Sequence, residues 1–249
     1  MARLLYQEDS YIKEFEATVT KLDGNKVFLD ATAFHPGPSG GLDADRGFLV
    51  TPSGSRIPVV NVIEENDDVA HIVDSPSGLS VGMKVRGAID WDARYAMMRL
   101  HTASHVLAAV LYNRYSAKIT GGHITPQMAQ DDFDLSSVSN WRQALLNAVD
   151  EANSILSRCI EVKVYWLSRE EAMKIPGVVK LAERTPPNIS QLRIVEIPGV
   201  DIQADGGPHV RNTCEVGRIE VINVENRGKT RKRIYYRLAQ VSSGAQGGQ

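Results

Sequence analysis

Residues 92–112 read Asp-Ala-Arg-Tyr-Ala-Met-Met-Arg-Leu-His-Thr-Ala-Ser-His-Val-Leu-Ala-Ala-Val-Leu-Tyr. This stretch holds no glycine or proline and is dominated by Ala, Leu and Met, so it is predicted to be a helix. His101 and His105 lie within it at i and i+4. That spacing puts both imidazoles on one face, about one turn apart. Such a pair can share a metal ion, or can sit partly buried with ordinary hydrogen bonds. The H-E-x-x-H arrangement of metallopeptidases needs a glutamate after the first histidine. Thr102 stands there, so that reading lacks its general base.

The pattern on either side of the helix differs. Upstream, the segments 14–22, 25–30, 56–63, 69–74 and 83–90 are short, rich in valine and isoleucine, and separated by Gly, Pro, Ser and Asp clusters. Short strands at this spacing predict a small barrel or sandwich. Downstream, a second helix is expected from about Ser136 to Arg158. Leu145, Val149, Ala152, Leu156 and Cys159 step by four and three along one apolar stripe. This gives Cys159 the reading of a small core residue. A strand follows at 160–166, and Ser168 with Glu171 has the spacing of a capping box. Further strands are expected at 192–197, 217–225 and 232–239. The fold class is therefore α+β: a small N-terminal β-barrel-like domain (1–90), then a domain (91–241) with helices packed on an antiparallel sheet. The tail 242–249 has nothing to bury and is expected to be disordered.

The bulk numbers narrow the class. The chain has 249 residues, 43% hydrophobic and 23% charged, with a formal net charge of −2. It is long enough for one large or two small domains with real cores. It is not globally basic, so a nucleic-acid partner must be held by a local patch. No stretch approaches the ~20 apolar residues of a membrane span, and the first sixteen residues have no apolar signal-peptide core. A cytoplasmic location without membrane contact is expected. Cys159 and Cys214 are too few for a disulfide framework.

A second unusual segment is Asp201-Ile-Gln-Ala-Asp-Gly-Gly-Pro-His209. Asp205 and His209 bracket two glycines and a proline, a composition that allows a tight loop with converging side chains. Alone it reads equally as a glycine turn with a stray Asp and His. Combined with His101 and His105, it makes a four-point site. Structural zinc usually has four protein ligands, whereas catalytic zinc keeps a position for water.

The motifs together resemble the alanyl-tRNA editing proteins of the AlaX type, freestanding relatives of the editing domain of alanyl-tRNA synthetase. The family carries an H-x-x-x-H helix and a later C-x-x-x-H loop. His101 and His105 match the first, and His209 the last histidine. Val210, Asn212, Thr213, Glu215, Val216 and Gly217 match the motif that follows it. GKTRKRIYYRL (228–238) is similar to a late family strand. Thr32-Ala-Phe-His-Pro36 with Gly40, Gly41, Asp45 and Gly47 resembles the glycine-rich element of the medium-length subtype. The resemblance spans about residues 15–240. Departures are Asp205 for the family's cysteine ligand, His35 for a tyrosine, Leu42 for a glutamine and Pro208 for a threonine.

The resemblance implies an α+β editing enzyme, a zinc-dependent ester hydrolase that guards translation fidelity. The implied reaction is deacylation in trans of seryl-tRNA(Ala), with glycyl-tRNA(Ala) as a further substrate. It implies one zinc ion on His101, His105, Asp205 and His209, with Cys214 or water as alternatives to Asp205. A carboxylate is a harder ligand than a thiolate, so weaker zinc affinity or tolerance of other divalent ions is expected. Catalytic roles fall on His101, His105 and Thr120. By position Thr120 looks like the family's serine-sensing threonine, although its place before Gly121 and Gly122 also suits a plain turn. Gly40, Gly41, Thr120 and His123 are the candidate substrate contacts. The implied partner is the acceptor end of tRNA(Ala). Arg227, Lys229, Arg231, Lys232 and Arg233 form the densest basic cluster and are the candidate phosphate contacts; Arg94 and Arg99 flank the histidine helix and can extend it. Other readings are a seryl-tRNA(Thr) editing domain, a noncatalytic tRNA-binding module with a decayed metal site, and a general zinc hydrolase of small esters. Monomer and homodimer both remain open.

Overall fold

The structure, a computed structural model, describes residues 1–176, 178 and 190–240. The expected disorder of 242–249 lies outside these residues. Six strands close into an antiparallel barrel in the order Glu14–Asp23, Lys26–Leu29, Asp68–Val73, Arg56–Glu65, Gly47–Val50 and Lys84–Ile89. Period-two alternation along the first strand turns Phe15, Ala17 and Val19 inward, where they join Val27, Leu29 and Phe34. Phe15 pairs with Gly87 across the ladder, and a Cβ at Gly87 would lie 2.3 Å from the Phe15 ring. Closure removes the exposed edges an open sheet would carry.

The strand Gly47–Val50 is absent from the sequence reading because it is only four residues long and holds a single valine. It pairs on both sides, with Arg56–Glu65 and Lys84–Ile89, and so completes the ring.

The helix Trp91–Tyr115 follows directly, capped by Asp90, whose carboxylate accepts from Ala93 N at 3.3 Å. It ends where Ser116 turns left-handed. Residues 97 to 111 except Arg99 are buried around the whole circumference, as expected of a helix apolar on every side. It packs against a second helix, Trp141–Leu156. That helix begins later than the sequence reading of Ser136. Ser136 N instead donates to the Asp134 carboxylate at 3.0 Å, a local turn that competes with helix. Cys159 is exposed rather than buried. The helix has ended at Leu156, and Cys159 takes φ 54°, which rotates it off the stripe.

Two antiparallel sheets flank the helices. One orders Ile219–Asn226, Arg231–Leu238, Ala129–Asp134 and Ile119–Ile124; the other orders Lys163–Ser168, Gln191–Ile197 and Asp201–Ala204. The Ser168–Glu171 capping box is present and opens the short helix Arg169–Met173.

Barrel and helix are fastened by a buried ion pair. Arg94, fully buried, sets its Nε 3.0 and 3.1 Å from the two Asp45 oxygens, and its Nη2 also contacts Asp45. The rest of the guanidinium donates to Ser10 O at 3.2 Å and Ala33 O at 2.6 Å. Arg94 is therefore internal and not part of an RNA-facing patch. Leu42, at the tip of the barrel's glycine-rich loop, is buried in the core around the long helix. Burial of a leucine is worth about 1.5–3 kcal/mol, so the loop is pinned to the helical half.

Candidate metal centre and cavity

His101, Ser104, His105 and Ala108 occupy i, i+3, i+4 and i+7 of the long helix, one stripe that faces a cavity of about 440 Å³. Opposite this stripe lies the strand Asp201–Ala204. Asp201, Gln203 and Asp205 alternate toward the site, while Ile202 and Ala204 pack against a small separate core on the other side.

The two half-sites meet. One ligand atom from each of His101, His105, Asp205 and His209 lies within 4.8 Å of all the others. Each imidazole spends its Nδ1 on a neighbour. His101 Nδ1 is 3.3 Å from Pro208 O, His105 Nδ1 is 3.0 Å from Asp201 Oδ2, and His209 Nδ1 is 3.0 Å from Thr102 Oγ1. Every Nε2 is thereby turned toward Asp205. The separations to its carboxylate are 3.6 Å from His101, 3.8 Å from His105 and 3.4 Å from His209.

The buried His209 Nε2 has no hydrogen-bond partner. An orphaned buried nitrogen costs free energy unless something fills it. Three nitrogens and one carboxylate converging at these distances fit a small divalent cation, with the ring orientations set by outer partners as metal-binding histidines require. Cys214 stands apart: exposed, with its thiol donating to Asn212 Oδ1 at 2.9 Å, it is no member of the cluster.

The electrostatics divide the histidines. Burial opposes protonation of His105, but its hydrogen bond with Asp201 and the nearby Asp205 carboxylate outweigh this and raise its pKa to about 9. Burial lowers His209 to about 4 and also holds His101 well below the ordinary value, with the neighbouring His209 adding to it. Burial would raise the Asp205 carboxyl, but the surrounding histidines, His101 foremost, prevail and hold it well below the ordinary carboxylate value.

The loop after Asp205 is held by a residue that the sequence reading did not assign. Arg193, buried, donates from Nη1 to Asp205 O at 3.0 Å and Gly207 O at 2.9 Å, and from Nε to Gln7 O at 3.0 Å. Gly207 N donates to Asp205 Oδ1 at 2.7 Å. A Cβ on Gly207 would lie 2.7 Å from His101 Cε1, so the close approach of loop to helix requires glycine.

The far side of the cavity is built from the glycine-rich loop and the strand Ile119–Ile124. Pro38, Gly40, Gly41, Thr120, Gly121 and Gly122 line it. Gly41 O accepts from Ile124 N at 2.8 Å, which stitches the loop to this strand. Thr120 lies on the strand rather than in a turn, and its Oγ1 donates to Asp132 O at 3.2 Å. His123 is outside the lining; its Nε2 is 2.7 Å from Asp43 Oδ1, which braces the loop from behind. At the floor, Asp131 accepts from Ser104 Oγ at 2.9 Å and Tyr236 OH at 2.7 Å, and burial raises its pKa to about 6.

The basic cluster sits at a hairpin and much of it is already engaged. Lys232 is buried, and its Nζ plugs the turn through Asn226 Oδ1, Gly228 O and Lys229 O at 2.8, 2.6 and 3.2 Å. It is unsuited to the expected phosphate contact. Arg233 grips Asp132 with two bonds of 2.7 and 2.8 Å. Arg99 donates to Val216 O at 2.7 and 3.2 Å and so anchors the turn after the loop. Arg227, Lys229 and Arg231 are exposed.

Asp201, Thr102 and Arg193 escaped the sequence reading. For Asp201 a signal existed, because 201, 203 and 205 alternate along one strand face. For Thr102 and Arg193 none did, since Thr102 meets a partner 107 residues away and Arg193 holds partners 12, 14 and 186 residues away across loops.

A helix pair and a strand-loop pair facing one pocket define the class. The family model described as the threonyl and alanyl tRNA synthetase second additional domain matches residues 192–235, which hold the Asp205–His209 half of the cluster. Over 237 residues the chain is 55% identical to the alanyl-tRNA editing protein AlaX-M of Saccharolobus solfataricus, covering 95% of this chain and 98% of the relative. It is 41% identical to the protein of that name from Methanosarcina barkeri, over 96% and 99% of the two chains. It is also 34% identical, over 89% of its length, to 25% of an alanine–tRNA ligase of Saccharolobus islandicus. The chain belongs to the AlaX-M family of alanyl-tRNA editing proteins.

Proposed function

We propose that the chain removes serine from mischarged tRNA(Ala) in trans, by zinc-dependent hydrolysis of the ester to the terminal ribose. Alanyl-tRNA editing follows from membership of the family; the amino acid, the metal and the residue roles are this reading's own. The observation that carries it is the convergence of three histidine Nε2 atoms and one carboxylate on the wall of a cavity that also exposes Thr120.

His101, His105, Asp205 and His209 would hold the ion. A divalent cation there supplies a Lewis acid that polarises a carbonyl or acidifies a water molecule. The chain's own residues do the rest. Asp201 and Thr102 fix the imidazole orientations. Leu42 and the glycine-rich loop close one side of the cavity against bulk water. Gly122 lets its strand pass Asp131, whose Oδ1 would lie 2.8 Å from a Cβ there.

Thr120 supplies the selection. Its hydroxyl hydrogen is committed to Asp132 O, which leaves oxygen lone pairs free to accept a hydrogen bond from a serine hydroxyl. Alanine offers no such donor, so the contact is lost for the correct product. The exposed Arg227, Lys229 and Arg231 remain the side chains suited to the acceptor-end phosphates.

The deciding experiment is deacylation of seryl-, glycyl- and alanyl-tRNA(Ala), with seryl-tRNA(Thr) alongside, in the presence and absence of a chelator. Seryl-tRNA(Ala) is expected to be hydrolysed, with chelation and His105→Ala each abolishing the reaction. Thr120→Val should lower the seryl rate about tenfold, the worth of one neutral hydrogen bond, while zinc binding stays unchanged. Chelator-insensitive hydrolysis, or equal rates on seryl- and alanyl-tRNA(Ala), would overturn the reading.

A further inference from the structure

The sequence contains two cysteines, Cys159 and Cys214, and both are exposed. The fold sets them face to face. Glu161 and Asn212 form an antiparallel bridge, flanked by Val162 N to Arg211 O at 2.8 Å and Thr213 N to Ile160 O at 2.9 Å. The ladder ends there, since Cys159 takes φ 54° and Cys214 lies in the 3-10 turn Thr213–Val216. Each cysteine sits two residues beyond the bridge, and Asn212 touches both. A disulfide there needs Cα atoms within roughly 4.4–6.8 Å.

The local contacts hold both residues in place. Asn212 donates from Nδ2 to Cys159 O at 2.9 Å, and its Oδ1 accepts from both Cys214 N and Cys214 Sγ, at 3.0 and 2.9 Å. Ile160 N donates to Thr213 Oγ1 at 2.9 Å. Cys159 Sγ contacts Ser157 O at 3.9 Å, and the neighbouring Cys214 thiol raises the Cys159 pKa. Beside Cys214 opens a second cavity of about 560 Å³, lined by Asp150, Asn153, Ser157 and Arg218, by which a small molecule reaches the sulfur.

We propose that Cys159 and Cys214 form a reversible intramolecular disulfide site, closed by exchange with a small-molecule disulfide. One cysteine, as thiolate, attacks a sulfur of the small disulfide and expels a thiolate, leaving a mixed disulfide. The other cysteine, as thiolate, then attacks the protein sulfur of that bond and expels the second small thiolate. The two cysteine protons end on the two released thiols. The protein has given up two protons and two electrons, and one small disulfide has become two thiols. The link ties the end of the second helix to the turn Thr213–Val216, whose Val216 O holds Arg99 and whose Glu215 accepts from Tyr11 and Tyr95. It closes a loop of about 55 residues.

The test incubates the full chain with oxidised glutathione and follows thiol content, intact mass and disulfide-linked peptides. Both thiols should disappear with loss of two hydrogens and no retained glutathione, and digestion should release a Cys159–Cys214 peptide pair. The closed form should unfold roughly 10 °C above the reduced form, with dithiothreitol reversing the shift. Cys159→Ser should instead keep a glutathione adduct on Cys214. A persisting adduct on the unaltered chain, a link between two chains, two unreacted thiols, or a closed form that unfolds no later than the reduced one would each overturn the proposal.

Discussion

Asp201→Asn tests whether an anion behind His105 tunes the cluster. In the structure Asp201 Oδ2 lies 3.0 Å from His105 Nδ1 and accepts from Gln203 Nε2 at 3.0 Å. Both are buried, so the bond acts in a low-dielectric setting. Hydrogen bonds to a charged group contribute about 1.5–3 kcal/mol and neutral ones about 0.5–1.5. The amide keeps the shape and can still accept from Nδ1–H, so the loss is the difference, about 1–1.5 kcal/mol. That corresponds to a roughly tenfold weaker hold on a metal, the lower end of what outer-shell changes cost in metal sites. Competition for zinc against a chromophoric chelator measures it directly. Hydrolysis should return toward the original rate when zinc is raised in proportion. An affinity within about twofold of the unaltered chain would refute the argument, because it would mean that the negative charge of Asp201 does not strengthen His105 as a donor.

Gly207→Ala should cost at least about tenfold in zinc affinity with little change in the unfolding midpoint, because the added Cβ meets the His101 ring at 2.7 Å where carbon contacts normally need about 3.5–4 Å; isothermal titration and a thermal melt separate the two effects. Arg94→Met leaves the buried Asp45 carboxylate without its cation and should destabilise the fold by about 3–5 kcal/mol in urea unfolding; a loss below about 1 kcal/mol would mean that the barrel and helix do not depend on this pair. His71, inside the barrel between Val27 O and Thr32 Oγ1, has its pKa lowered to about 4, chiefly by burial. Its folded pKa is below the unfolded value of about 6.5. The stability of the neutral state is therefore intact above pH 6.5 and is lost as pH falls toward 4, with about 2 kcal/mol gone at pH 5. Replacing His71 by Asn should flatten that part of the stability curve, and an unchanged slope would refute it.

Local chemistry was enough for much of this molecule. Valine and isoleucine between clusters of Gly, Pro, Ser and Asp implied strands at 14–22, 56–63 and 69–74, and the absence of Gly and Pro after Asp90 implied the helix, because side-chain shape and backbone freedom are properties of neighbouring residues. The i, i+4 spacing put His101 and His105 on one face for the same reason. The strand Ile119–Ile124 was hidden, since Gly121 and Gly122 read as a turn and only pairing with Ala129–Asp134 keeps them extended. Cys159 looked like core until the helix stopped at Leu156. Lys232 and Arg94 looked like surface cations, and their partners turned out to be a hairpin turn and the barrel's Asp45. Most of all, the meeting of His105 with Asp201 and of His209 with Thr102 was decided by tertiary structure, because contacts between residues about a hundred positions apart leave no period in the chain for a reader to find.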